Sequence, residues 1–211
     1  MDRVKGSQSA VGVAWTPDQV NTFRAVIADD PLHAAWLMSL YGLRRGEVLG
    51  LAWEHVDLEA GTLSVQRNRV LVAGEVMEGT PKTRNGVRTL PLPDDLARAL
   101  KALAQQQRQD RLAAGPAWAG TGHVVVDALG RPVHPERYSD DWDRLGKAAA
   151  LPRIRLHDAR HTSVTNMRAA GKPDHLVARW HGHDEAVMRR TYTHTTVDDL
   201  RALAGPISGA M

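Results

Sequence analysis

Tyr192 stands in the segment His181-Gly182-His183 … Thr191-Tyr192-Thr193-His194, and upstream of it lie Arg44, Lys82, His157 and Arg160. Moving a phosphodiester without a metal needs an attacking oxygen and positive donors on the two non-bridging oxygens. It also needs an acid for the departing hydroxyl and a group to relieve the nucleophile of its proton. A tyrosine, two arginines, a lysine and two histidines supply each of these. A covalent phosphotyrosine splits strand transfer into two near-isoenergetic steps, so no ATP is required. Stabilising the pentacoordinate charge is mainly electrostatic, and loss of one such donor typically costs ~10²–10³ in rate. Arg44 and Arg160 suit the two fixed clamps.

Taken singly, each of these residues is ordinary. A loop arginine is usually solvated, a lysine near a hairpin turn is commonplace, and a histidine at a helix start commonly bonds locally. A tyrosine can be a half-buried aromatic whose hydroxyl finds water. The chain has only three tyrosines, however, and Tyr41 and Tyr138 lack comparable surroundings. The weight rests on joint occurrence in order.

These residues need elements to hold them. Residues 1–13 mix Gly, Ser and charge without period and read as a linker or tail, leaving 14–211 as one domain. Thr16-Pro17-Asp18-Gln19 is a capping box with Pro at the first helical position, predicting a helix to about Asp29. A second helix follows Pro31, with Leu32, Trp36, Leu37 and Leu40 on one face. Gly42–Gly46 breaks it, and a short helical turn begins at Glu47. Residues 62–72, 75–80 and 87–91 read as three antiparallel strands, separated by Ala73-Gly74 and by a loop containing Asn85-Gly86. Helical pattern returns over 94–113, 135–149, 157–170, 173–180, 184–191 and 196–204, with Gly171 as a cap and Pro173 as a start. Leu32, Trp36, Leu37, Leu96, Leu100, Leu103 and Trp142 are expected core. The fold class expected is α+β, predominantly helical, with one small three-stranded antiparallel sheet.

At 211 residues and 43% hydrophobic content, the chain suits one sizeable globular domain. No apolar run approaches 18 residues, so no membrane span is expected. Zero cysteine excludes a disulfide or thiolate zinc site and fits a reducing cytoplasm. The net charge of +3 decides little. Arginine far outnumbers lysine and clusters at 43–46, 66–69, 84–88, 152–160 and 188–190; its planar fork suits phosphate. Arginine enrichment of this kind also follows from a GC-rich genome.

The run Gly42-Leu43-Arg44-Arg45-Gly46-Glu47 resembles the first signature of the tyrosine recombinase (phage integrase) family. His157-Asp158-Ala159-Arg160-His161-Thr162 resembles the second, and Gly182-His183 followed by Tyr192-Thr193-His194 the third. Pro81-Lys82-Thr83 matches the place of the family's lysine. The resemblance runs from about residue 15 to 200 and implies a metal-independent, site-specific DNA recombinase serving phage or mobile-element integration, with no cofactor. It implies that Tyr192 attacks to give a 3′-phosphotyrosyl linkage, that Arg44 and Arg160 contact the non-bridging oxygens, and that Lys82 protonates the departing 5′ oxygen. His157 then assists the tyrosine proton, His183 bonds the phosphate, and Glu47 holds the arginine-bearing turn. Arg67, Arg69, Arg84, Arg88 and Arg153 are candidate contacts to the backbone of double-stranded DNA. The active unit implied is a homotetramer on two duplexes, with 193–211 packing on a neighbour, the isolated domain being monomeric. The setting implied is the bacterial cytoplasm, at the host nucleoid.

Three departures stand out. Tyr41 replaces a usually small residue, and His181, after bulky Trp180, replaces an aliphatic one; a packing change or a further polar group near the phosphate is expected there. Only about 15 residues precede the first helix, where the family carries an N-terminal DNA-clamping domain, so that domain is expected to be absent. Two rivals remain open. One is a catalytically silent DNA-binding module. The other is a zinc hydrolase using His157 and His161 at i, i+4, with His181, His183 or His194 as third ligand.

Overall fold

A computed structural model describes residues 14–80 and 86–182. The expected linker 1–13 and helices 184–191 and 196–204 lie outside the described residues. The first helix, α1 (Pro17–Val26), opens on Thr16, whose hydroxyl and Gln19 side chain satisfy one another's backbone amides in a complete capping box. It stops short of Asp29. The Asp30 carboxylate accepts the Leu32 amide at 2.8 Å and the Trp36 indole N–H at 2.9 Å, which turns the chain into α2 (His33–Leu40).

Helix α2 is buried from Ala34 to Leu40, apolar on every side but Ser39, as a central helix must be. Aromatic rings frame it. Trp36 stacks on Tyr138 with centroids 4.2 Å apart, and Trp15, Phe23 and Trp142 form a contiguous cluster. The partners of Trp36 and Phe23 come from α5 (Pro135–Ala148), whose buried Tyr138, Trp142 and Leu145 recur at helical spacing. The Tyr138 hydroxyl donates to the Ala35 carbonyl at 2.9 Å, so its polar end is satisfied in the core. Trp36, Leu37, Leu96, Leu100 and Trp142 are buried as expected, while Leu32 and Leu103 pack partly buried against them.

After α3 (Arg45–Leu49) come β1 (Val56–Asp57), β2 (Thr62–Val65), β3 (Asn68–Val72), β4 (Glu75–Gly79) and β5 (Arg88–Pro91). The three-stranded antiparallel sheet is present in the order β1-β2-β5, with Leu63 opposite Leu90 and Val65 opposite Arg88. Its membership differs from the sequence expectation. The run 62–72 divides at Gln66-Arg67, and β3 pairs only with β4 in a separate hairpin. The cause is packing on the arginine-bearing helix: a Cβ on Gly46 would fall 1.8 Å from Asn68 Oδ1, so β3 lies directly on α3. Helices α4 (Asp94–Ala114), α6 (Asp158–Ala169) and α7 (Asp174–His181) complete the described chain. Among the described residues no helix is long and apolar enough to cross a membrane.

Candidate active site

Arg44 sits at the N-terminus of α3 with extended backbone (φ −69°, ψ 149°), a geometry that turns its side chain out of the helix. Gly42, two residues earlier, has φ +87°, and a Cβ there would lie 2.4 Å from His181 Nε2. Only glycine fits both the left-handed backbone and the close ring. Glu47 closes the turn. Its carboxylate accepts the Arg44 amide at 3.0 Å and Arg44 Nη1 at 2.7 Å, and Arg88 Nη1 and Nη2 at 3.1 and 2.9 Å. With a side chain only 3% exposed, burial alone would push this carboxyl up; the Arg88 and Arg44 donors outweigh burial and hold it at about 2.

Helix α6 supplies the second group. Arg155 folds back on buried Asp158, donating from its backbone amide, Nε and Nη2 at 3.0–3.1 Å, and so fixes the helix start. His157 stands just before Asp158 with its ring set edge-on to His161, centroids 5.6 Å apart. Burial first, then the charges of His161, Arg160 and Arg44, lower its pKa against the opposing pull of Asp158. The neutral imidazole is therefore favoured, the form that can accept a proton. Arg160 is 3% exposed; Nη1 donates to the Gly42 carbonyl at 2.7 Å, across 118 residues of sequence, and Nη2 to the His181 carbonyl. The fold thus gathers Arg44, Arg160, His157 and Glu47 around one turn.

Beside that turn opens a cleft of about 530 Å³ lined by Arg44, Asn68, Ser139, Arg153, Arg155 and His157. Arg153 is 80% exposed and, among the described residues, pairs with Asp143. Arg67 is half exposed beside Glu54. Arg69 is drawn inward, donating to the Val133 carbonyl at 2.6 Å and pairing with Glu78. Arg88 is also drawn inward, 7% exposed, with protein acceptors on Nε, Nη1 and Nη2. Arg69 and Arg88, candidate contacts to the DNA backbone in the sequence, thus both direct their donors to acceptors within the protein. Lys82, Arg84, His183, Tyr192 and His194 lie outside the described residues. Sequence reasoning missed Arg155 and Asn68 as cleft residues. The signal for Arg155 was its place three residues before Asp158 in a helix-start segment.

The departures resolve into packing. The Tyr41 hydroxyl donates to the Asp95 carboxylate at 2.7 Å, and its carbonyl accepts the Trp180 indole N–H at 2.8 Å. His181 is fully buried; Nδ1 donates to the Val177 carbonyl at 2.8 Å, which leaves Nε2 to accept the Ser163 hydroxyl at 3.1 Å. Its ring thus lies within the protein, between Val177 and Ser163. Among the described residues no three metal-ligating side chains cluster; His183 and His194, two of the three candidate third ligands, lie outside them.

The model of the phage integrase family matches residues 15–198. A tyrosine recombinase XerC-like protein of Caldanaerobacter subterraneus subsp. tengcongensis is 29% identical over 194 residues, covering 85% of this chain and 50% of the relative. Prophage integrase IntR of Escherichia coli K12 is 29% identical over 180 residues, covering 78% of this chain and 43% of the relative. The chain spans about half the length of the curated relatives it matches. Among solved structures, the Tn1549 transposon integrase in complex with transposon right end DNA superposes with a TM-score of 0.77 at 24% identity, covering 95% of this chain and 67% of that one; the likeness is one of fold.

Proposed function

The chain belongs to the phage integrase family, and from that premise we propose that it is the catalytic domain of a site-specific DNA recombinase working through a 3′-phosphotyrosyl intermediate. One observation carries the reading beyond family membership: Arg44 and Arg160, remote in sequence, are fixed on one turn with a solvent-facing, neutral-favouring His157 beside them. Two fixed cations beside a proton acceptor are what an in-line attack on a phosphodiester requires.

In this mechanism Tyr192 Oη attacks phosphorus as its proton passes to His157, forming the O–P bond while the P–O5′ bond breaks. Lys82 gives the departing 5′ oxygen its proton. Arg44 and Arg160 neutralise the non-bridging oxygens, and His183 bonds one of them. Resealing by an incoming 5′ hydroxyl reverses each transfer, so energy is conserved in the phosphotyrosine and no cofactor takes part. The substrate is double-stranded DNA. The full-length protein acts as a homotetramer, with 193–211 packing on a neighbour and the isolated domain monomeric. Its setting is the bacterial cytoplasm, and its biological role phage or mobile-element integration.

The test is relaxation of negatively supercoiled plasmid at low salt in EDTA, wild type beside Tyr192→Phe. Relaxation by wild type alone, with a denaturant-stable protein–DNA adduct, is the expected result. Relaxation by both would move the nucleophile elsewhere. DNA binding with no relaxation by either would leave a silent binding module.

A further inference from the structure

The last carbonyls of a helix have no partner within it and carry the negative end of its dipole. At the end of α7 two such carbonyls are met by buried arginines: Arg88 Nε donates to Trp180 O at 2.7 Å, and Arg160 Nη2 donates to His181 O. The other arm of each arginine reaches the Arg44 turn. Arg160 bonds the Gly42 carbonyl, and Arg88 grips both oxygens of Glu47, the carboxylate that holds the Arg44 amide. Two guanidinium groups therefore span the same pair of elements. Arg160 comes from α6 and carries a proposed chemical role. Arg88 comes from the start of β5 and is closed on that strand by a further bond to the Gly86 carbonyl at 3.0 Å.

We propose that Arg88 is a positioning residue: it ties the Arg44 turn to the end of α7, where the sequence continues into His183 and Tyr192. The inference rests on the recombinase reading for its consequence, though the tie itself does not. Four hydrogen bonds in three directions engage its planar head. A lysine ammonium is a point donor on a flexible stem and cannot hold a carboxylate in two places and a carbonyl in a third. Nε, Nη1 and Nη2 of Arg88 all donate within the protein, and Arg88 is not among the residues that line the cleft.

The experiment compares wild type with Arg88→Lys by plasmid relaxation rate, by the salt dependence of duplex binding in fluorescence anisotropy, and by hydrogen exchange of peptides covering 42–50 and 174–182. Misplacing a reacting group by about 1 Å costs on the order of 100-fold in rate, and a loss of that size is expected with duplex affinity and its salt slope unchanged. Both peptides should exchange faster together, while α1 and α5 stay as protected as in wild type. A salt slope lower by about one, with weaker binding, would make Arg88 a phosphate contact and overturn the inference. So would unchanged exchange, or faster exchange throughout the protein. If wild type itself fails to relax DNA, the recombinase reading falls, and the exchange pattern still decides the tie. Should Arg88→Lys not fold, Glu47→Asp draws the carboxylate back by one methylene, and the same measurements apply to it.

Discussion

The arginines around the cleft fall into two groups that face opposite ways. Arg88 and Arg160 are almost wholly buried and form a floor under the Arg44 turn, behind the residues that line the cleft; they bind backbone carbonyls, Gly86 and Trp180 for one, Gly42 and His181 for the other, and Arg88 also holds the Glu47 carboxylate. On the cleft rim Arg153 and Arg155 are 80% and 72% exposed, and the Arg153 head meets a single carboxylate, Asp143. A guanidinium held by carbonyls from several elements stabilises the fold, whatever chemistry it also serves. One held by a single surface carboxylate loses little when a phosphate replaces it, because exposed pairs contribute little to stability. Both groups are arginines in arginine-rich stretches, and only their acceptors tell them apart.

The sharpest way to break that distinction is Arg160→Ala. Removing a charge donor from a phosphoryl-transfer site should cut relaxation by ~10²–10³. It also leaves the Gly42 and His181 carbonyls without this donor, at ~1–3 kcal/mol for each buried group left unsatisfied. Plasmid relaxation and urea unfolding should therefore both fall. An unchanged unfolding midpoint would show that Arg160 belongs with the rim.

Glu47 tests the floor from its anionic side. Glu47→Gln breaks a buried pair and should destabilise by ~3–5 kcal/mol. The wild-type pH dependence gives a second measure. The folded-state value is depressed from 4.5 to about 2, so its contribution is present above the unfolded pKa and is lost as pH falls through the folded one. Integrated over that shift it amounts to about 3 kcal/mol, disappearing between about pH 5 and 2. Urea midpoints across that range should fall in wild type and be flatter in Glu47→Gln.

His181→Leu comes next. It restores the aliphatic residue that the family resemblance leads one to expect, and removes the hydrogen bonds to Val177 and Ser163. A loss of about 1 kcal/mol is expected, with relaxation within a fewfold of wild type. A large drop in rate at unchanged stability would place the imidazole in the chemistry.

What the sequence disclosed was mostly local. The Thr16–Gln19 capping box and the helix starts at Pro31 and Pro173 are signals within a few residues, and α1, α2 and α7 begin at or within two residues of them. The Arg44 and Arg160 motifs were legible as motifs, and the fold brings them together. The direction of an arginine was not legible, because its acceptors are remote: Glu47 lies 41 residues from Arg88 and Trp180 lies 92. Sheet membership failed for a similar reason. The run 62–72, rich in Thr, Val and Leu, reads as one strand in sequence, but it divides at Gln66-Arg67 and β3 lies against Gly46 of α3. His181 was noticed as a departure, but its inward direction follows from Ser163 and Gly42, neither adjacent in sequence.

The smallest effect expected is the most diagnostic for the rim. Arg153 is paired with Asp143 at the surface, lines the cleft, and among the described residues has no backbone carbonyl holding it. Arg153→Ala should leave the melting temperature where it was. If the guanidinium exchanges Asp143 for a DNA phosphate, one fewer counterion is released on binding. The slope of log K against log[salt] should then fall by about 0.9, and affinity should drop to a similar degree on any duplex sequence. Fluorescence anisotropy across a salt series measures this directly. An unchanged slope would mean that Asp143 keeps its partner in the complex. Exposure alone would then be insufficient to mark a phosphate contact, and the rim would reduce to Arg155, which lines the cleft with Arg44 and His157.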